Sequence, residues 1–285
     1  MKLDPQRLMG LSIPPRSIAY DTREPMLYAL SVGLAADPLN EDELAFAYEP
    51  NQRVVPSFAN TLAFDDSWLS QGGIDLTRVV HGSLKLIFHS LLPASGKAEM
   101  TTRIAGLSDK GEGRGGILLQ ETVIKDIDGR TLCTSLSSLF VRGAGGFGGP
   151  VGEQPSSHDI PARGPDLEAL VATLPNQALL FRLLGDRNPL HADPEPAKRV
   201  GFDRPILHGA CTFGIACATV LRQFCGLEPK RLASLEARFA APLYPGETLS
   251  FTFWREGGAT AFRAAAKERG APVLDNGYAT FTDQP

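Results

Sequence analysis

Several marks of large protein classes are scarce or missing in this chain. Only four of its 285 residues are cysteine, and Cys133, Cys211, Cys217 and Cys225 form no C-x-x-C pair. Three of the four fall in one apolar segment where small hydrophobes are expected, so they read as reduced core residues. An excess of one charge is also lacking: 28 basic and 32 acidic side chains leave a formal charge of -4, which offers no electrostatic footprint for nucleic acid. No run approaches the ~18 apolar residues needed to cross a bilayer, and Met1-Lys2-Leu3-Asp4-Pro5 carries an early acid without an apolar signal core. The C-terminal Thr282-Asp283-Gln284-Pro285 is no peroxisomal tripeptide address. A cytoplasmic protein without membrane or nucleic-acid partners is expected. The G-x-S-x-G elbow is absent as well, which disfavours acyl-serine chemistry.

Hydrophobic residues make up 43% of the chain, enough for one large or two ordinary globular domains. Residues 143–165 hold seven glycines (Gly143, Gly145, Gly146, Gly148, Gly149, Gly152, Gly164) and three prolines before Pro165, interleaved with Ser and Gln. Such a composition reads as a linker. It divides an N-terminal domain, residues 1–142, from a C-terminal domain, residues 166–285. Gly143-Ala144-Gly145-Gly146-Phe147-Gly148 satisfies G-x-G-x-x-G literally, but Pro150 and a polar stretch follow where a phosphate-binding helix would have to begin.

The two halves look related. Leu86 to Gly96 parallels Glu236 to Gly246 at an offset of roughly 150 residues, the scale of a duplicated domain. Asp126-Ile127-Asp128-Gly129 and Leu274-Asp275-Asn276-Gly277 read as tight turns leading into strands. Strands are expected near residues 84–90, 99–107, 116–125, 132–141, 179–184, 232–239, 248–254, 260–267 and 277–282. Residues 209–225 differ in kind. They are apolar or small on every face, and Gly226 can supply a left-handed cap, so a buried helix is expected there. The pattern implies an α+β fold in which an antiparallel sheet encloses one long helix.

Polar chemistry concentrates in Gly185-Asp186-Arg187-Asn188-Pro189-Leu190-His191. Gly and Pro force an irregular backbone, which presents a carboxylate, an amide and an imidazole able to hold one water and exchange protons near neutral pH. The same spacing suits an Asx-turn at Asp186, an Asn188-Pro189 turn and a surface His191. Gly209, after His208, would begin the buried helix with an unpaired N–H at the positive end of its dipole, where a thioester oxyanion could be stabilised. A plain glycine N-cap is the competing reading. One His with one carboxylate falls short of the usual metal ligand sets, so no metal is expected.

Gly185 to His191, followed by Arg204-Pro205-Ile206-Leu207-His208-Gly209, resembles the signature of MaoC-like, R-specific (type-two) enoyl-CoA hydratases. Tyr28 to Gly33, Phe46 to Glu49, Pro56 to Ala59 and Val141 to Gly148 are similar to the two-domain hydratase of peroxisomal multifunctional enzymes. The resemblance covers nearly the whole chain. It implies a double hot-dog fold in which the N-terminal half has lost much of its helix and so accommodates a long or bulky acyl chain. It also implies fatty-acid β-oxidation chemistry without a cofactor, and a homodimer. By resemblance, Asp186 and His191 are the catalytic pair, Asn188 positions water and Gly209 polarises the thioester. His81, Gly82, Lys110, Arg187, Pro189, Leu190 and Phe239 would contact the acyl-CoA. Leu184 and Arg187 depart from the family pattern, which bears on acyl preference rather than chemistry. A hot-dog thioesterase and a non-catalytic acyl-CoA-binding subunit are the alternatives.

Overall fold

The computed structural model describes residues 2–155 and 157–282; Met1 and the Asp283-Gln284-Pro285 end used in the address reading lie outside the described residues. Eleven strands form one antiparallel sheet: β1 (Arg16–Tyr20), β2 (Val79–Phe88), β3 (Gly96–Asp109), β4 (Gly115–Asp126), β5 (Thr131–Arg142), β6 (Val151–Gly152), β7 (Leu167–Ala172), β8 (Leu232–Phe239), β9 (Thr248–Glu256), β10 (Ala259–Ala266) and β11 (Ala271–Phe281). Ten run in the order β1-β3-β4-β5-β2-β8-β11-β10-β9-β7, and β6 pairs with β3. The order is palindromic. Five strands of the N-terminal half meet their counterparts from the C-terminal half across β2 and β8, as a duplicated domain would require.

The junction has a defined register. Ser83 pairs with Arg238 and Ile87 with Ser234, and at the midpoint Lys85 faces Glu236, with a 2.9 Å ion pair. Side chains alternate along a strand. Leu84 and Leu86 therefore point inward from β2, and Leu235 and Ala237 from β8, all at most 2% exposed.

Inside the curled sheet lies the helix Gly209–Val220, whose residues from Cys211 to Val220 are all buried. Its last turn, Leu221–Cys225, widens into a π-turn and ends on Gly226 at φ 58°, the left-handed cap the sequence called for. Gly214 lets this helix approach the helix Arg23–Ser31, because a Cβ there would lie 2.6 Å from the Tyr28 hydroxyl. The corresponding N-terminal helix, Phe58–Ala63, has six residues.

Two local expectations fail. Residues 179–184 were expected as a strand; they form the helix Gln177–Phe181 and a 3-10 turn, Arg182–Leu184. An apolar run of this length fits either element, and Phe181 is buried while Leu179 and Leu183 face out. Leu274 to Gly277 is no hairpin turn but a bulge within β11, between the pairs Asp275–Arg238 and Tyr278–Glu236. Asn276 takes φ 52° there, so the turn-forming residues serve an irregularity inside the ladder. Asp126 to Gly129 does turn β4 into β5, with Gly129 at φ 81°.

The glycine-rich segment after β5 wraps a carboxylate of its own chain. Asp109 accepts hydrogen bonds from the N–H groups of Gly111, Gly146 and Gly148 at 2.7–2.8 Å, and these hold its carboxyl down at about 2. Amides that could cradle a phosphate are thereby occupied.

Candidate active site

Gly185 sits at φ 131°, a conformation open to glycine, and turns the chain from the 3-10 helix into the Asp186–His191 loop. Asp186 Oδ1 accepts from the Asn188 N–H at 3.1 Å, and Asn188 Oδ1 accepts from the Leu190 N–H at 3.0 Å, starting the 3-10 turn Pro189–His191. The Asx-turn reading of this loop is therefore correct. The surface placement of His191 is not: its ring is buried. Turn geometry and a reactive cluster coexist here, because the turn is what drives His191 inward.

His191 Nδ1 lies 2.9 Å from the Ile206 carbonyl oxygen. A carbonyl only accepts, so Nδ1 carries the proton and Nε2 presents its lone pair. Burial pushes the His191 pKa below its ordinary value, against upward pulls from the Ile206 bond and the Asp186 charge. The neutral imidazole is thus the resting form at neutral pH.

His208 completes the cluster. Its ring is 1% exposed and stacks on His191 at 3.7 Å between centroids, with Phe181 at 5.0 Å on the other contact. Nε2 donates a long bond, 3.4 Å, to the Asp186 carbonyl, leaving Nδ1 buried without a protein partner. Desolvation, with the neighbouring His191 second, pushes its pKa down to about 3. A carboxylate oxygen of Asp186 and a nitrogen from each imidazole lie within 4.8 Å of one another. Two imidazoles and one carboxylate can form a metal site, but here the rings are stacked with only 26° between their planes. One nitrogen of each ring already faces a backbone carbonyl, that of Ile206 or of Asp186, so each imidazole has a single nitrogen left to offer.

Gly209 is the first residue of the central helix, and its N–H has no acceptor within the helix. The Phe239 ring lies 3.3 Å from where a Cβ on Gly209 would stand. Phe239 in turn meets the His81 ring at 4.6 Å, and His81 Nε2 is 2.8 Å from Ser137 Oγ. Desolvation drops the His81 pKa to about 4. Gly82 occupies a bulge of β2 where a Cβ would sit 2.8 Å from Ser138 Oγ, so close strand approach accounts for the glycine. Asp186, His191, His208, Gly209, Phe239, His81 and Gly82 therefore form one continuous wall spanning both halves.

The remaining expected contacts are more dispersed. Arg187, Asn188 and Pro189 are exposed on the loop, and Leu190 is half-buried behind them. Lys110 is exposed beyond the end of β3, which lies three strands from β2 in the sheet. Asp193 caps the helix Pro194–Arg199 through the Glu195 N–H.

Sequence reasoning placed His208 at the helix entry but missed its ring as a member of the cluster. No spacing rule reveals a stack between imidazoles contributed by a loop and by a helix cap.

A curled sheet around a central helix, with a carboxylate and imidazoles beside that helix's N-terminus, defines the class of hot-dog proteins with a dehydratase-type site. Residues 156–276 match the family described as MaoC like domain, and residues 18–143 match the MFE-2 hydratase 2 N-terminal domain. The chain is 38% identical to Enoyl-CoA hydratase ChsH3 of Mycobacterium tuberculosis, over 97% of this chain and 96% of that one. It is 36% identical to the peroxisomal Enoyl-CoA hydratase 2 of Arabidopsis thaliana, over 94% and 92% of the two chains. Among solved structures, a MaoC-like dehydratase from Phytophthora capsici superposes with a TM-score of 0.88 at 32% identity, covering 98% of this chain and 99% of that one. The chain belongs to the MaoC-like dehydratase family, in its two-domain hydratase-2 form.

Proposed function

We propose that this protein is a hydro-lyase that reversibly hydrates trans-2-enoyl-CoA to (3R)-3-hydroxyacyl-CoA. The observation that carries the reading is the meeting of Asp186, His191 and the N-terminus of the central helix in one wall. Relatives named enoyl-CoA hydratase and 3-hydroxyacyl-thioester dehydratase support it.

In this reading water sits between His191 Nε2 and the Asp186 carboxylate. As its oxygen adds to Cβ, His191 takes a proton, the Cα=Cβ electron pair moves toward the thioester oxygen, and the Gly209 N–H stabilises the enolate. The imidazolium, steadied by Asp186, returns a proton to Cα, so one water is added and the enzyme is regenerated. General acid–base groups contribute ~10²–10⁴-fold and an oxyanion donor ~10²–10³-fold, a scale adequate for the step. Asn188 holds the loop in register and leaves its amide nitrogen for the water. Phe239, His81, Gly82, Leu190 and Pro189 flank the acyl-CoA, while Arg187 and Lys110 offer charge to the CoA phosphates.

The short Phe58–Ala63 helix supports a preference for long or bulky acyl groups. Neither a metal nor a redox cofactor enters the proposed step. The reading includes a homodimer, tested by sedimentation, and a cytoplasmic location, tested by fractionation. No helix of the described residues is long and apolar enough to cross a membrane, and some relatives are peroxisomal proteins.

The test supplies short, long and steroid-side-chain enoyl-CoAs and follows the enoyl absorbance, with chiral analysis of product and a thiol reagent present. Loss of the enoyl band with an R product and no released thiol is expected. Thiol release from saturated acyl-CoA would establish a thioesterase instead, and tight binding without turnover a non-catalytic subunit.

A further inference from the structure

The palindromic strand order gives the catalytic end of β8 a counterpart at the far end of β2. Phe88 stands there as Phe239 stands beside Gly209, and Pro56-Ser57-Phe58 opens the short helix as Leu207-His208-Gly209 opens the long one. The preceding loops also correspond. Asp37-Pro38-Leu39-Asn40 mirrors Asn188-Pro189-Leu190-His191, and Asp37 Oδ1 accepts from the Leu39 N–H at 2.9 Å just as Asn188 Oδ1 accepts from the Leu190 N–H at 3.0 Å. The chemistry is gone: Asn40 replaces the imidazole and caps the turn Glu41–Leu44, and Ala35 stands where Asp186 would be.

A hollow remains. A cavity of about 150 Å³ opens at this end, walled by Val54, Pro56, Phe88, Leu91, Leu132 and Leu232. The lining is mainly apolar, with Ser90 and Thr282 among it, and the cavity opens to solvent, a setting for a guest with one apolar and one polar end. The exposed Lys230 also lines it and brings a basic residue to the cavity. His89 adjoins, its Nε2 3.0 Å from Thr134 Oγ1. The cavity is separate from the catalytic wall: His81 and Phe88 are ~23 Å apart along β2, and the inward Leu84, Leu86, Leu235 and Ala237 between them are packed solid.

We propose that this hollow, at the position of a lost second active site, binds an aliphatic carboxylate of the fatty-acid type. Its chain fills the apolar cavity and its carboxylate meets Lys230. The site is independent of whether the other end hydrates enoyl-CoA.

The experiment titrates octanoate into the full chain by calorimetry, with and without saturating 3-hydroxybutyryl-CoA. One equivalent should bind equally in both titrations. Lys230→Glu should weaken binding several-fold, octanol should bind the wild type as weakly as octanoate binds that variant, and Leu132→Trp, which fills the cavity, should abolish binding. Lys230 is exposed, so its variant reports on the site even if Leu132→Trp fails to fold. Displacement of octanoate by the CoA thioester would place it in the catalytic cleft and overturn the proposal. So would undiminished binding to Lys230→Glu, or no binding to the wild type at millimolar octanoate.

Discussion

His208 and His81 are held neutral by burial, at about 3 and about 4, whereas an unfolded chain would protonate them near 6.5. The folded state therefore binds fewer protons between those values, so the stability contributed by the neutral rings is complete above pH 6.5 and is lost as pH falls toward 3–4. Urea midpoints measured across that window should decline with acidity, and His208→Gln should flatten the decline; a midpoint constant from pH 6.5 to 4 would refute this. At Gly209 a methyl group would press on Phe239 at 3.3 Å. We expect Gly209→Ala to lower kcat/KM by ~10-fold or more, through displacement of the N–H from the thioester, and Phe239→Leu to restore part of that loss in steady-state assays. Legibility at this scale was uneven. Asp186, His191 and Gly209 could be read because Gly, Pro and an apolar helix bracket them. The Ile206 carbonyl that fixes the His191 tautomer and the His208 ring that covers it could not, since both contacts arise only when distant backbone segments close on one another.

Among the elements, the central helix was the most legible, because residues apolar on every face allow only a buried helix. Its partner contact was hidden. Gly214 sits against Tyr28 and Val32, an approach that no periodicity encodes. We expect Gly214→Ala to cost ~1–3 kcal/mol by overpacking, read as a fall in the denaturation midpoint; unchanged stability would mean that the two helices can part freely. Residues 179–184 were misread because an apolar run bounded by Asn176 and Gly185 suits a strand as well as a short helix. Burial of Phe181 beside His208 decided between them, and that is a tertiary effect. The Asp275-Asn276-Gly277 bulge was misread for a related reason: residues that tolerate positive φ serve both turns and bulges, and only strand pairing distinguishes the two.

For the whole molecule, the duplicated architecture was visible as a faint echo between two strand-turn segments, and the palindromic sheet supplies its physical basis. The β2–β8 junction joins the halves through backbone pairing and the Lys85–Glu236 contact, so neither half closes its core edge alone. Expressed separately, residues 1–142 and 166–285 should each expose an unpaired central strand and aggregate; two soluble, cooperatively unfolding fragments would contradict that dependence. The proposed active-site wall also draws on both halves, since His81 comes from β2 and Asp186, His191 and Phe239 from the other side of the junction.

The central claim is that Asp186 and His191 jointly move the proton during hydration. Its most direct measurement is single-turnover loss of the enoyl absorbance for wild type, Asp186→Asn and His191→Gln, with circular dichroism confirming the fold of each. The account predicts a fall of at least ~10²-fold in both variants with folding retained. Wild-type rates in either well-folded variant would contradict it.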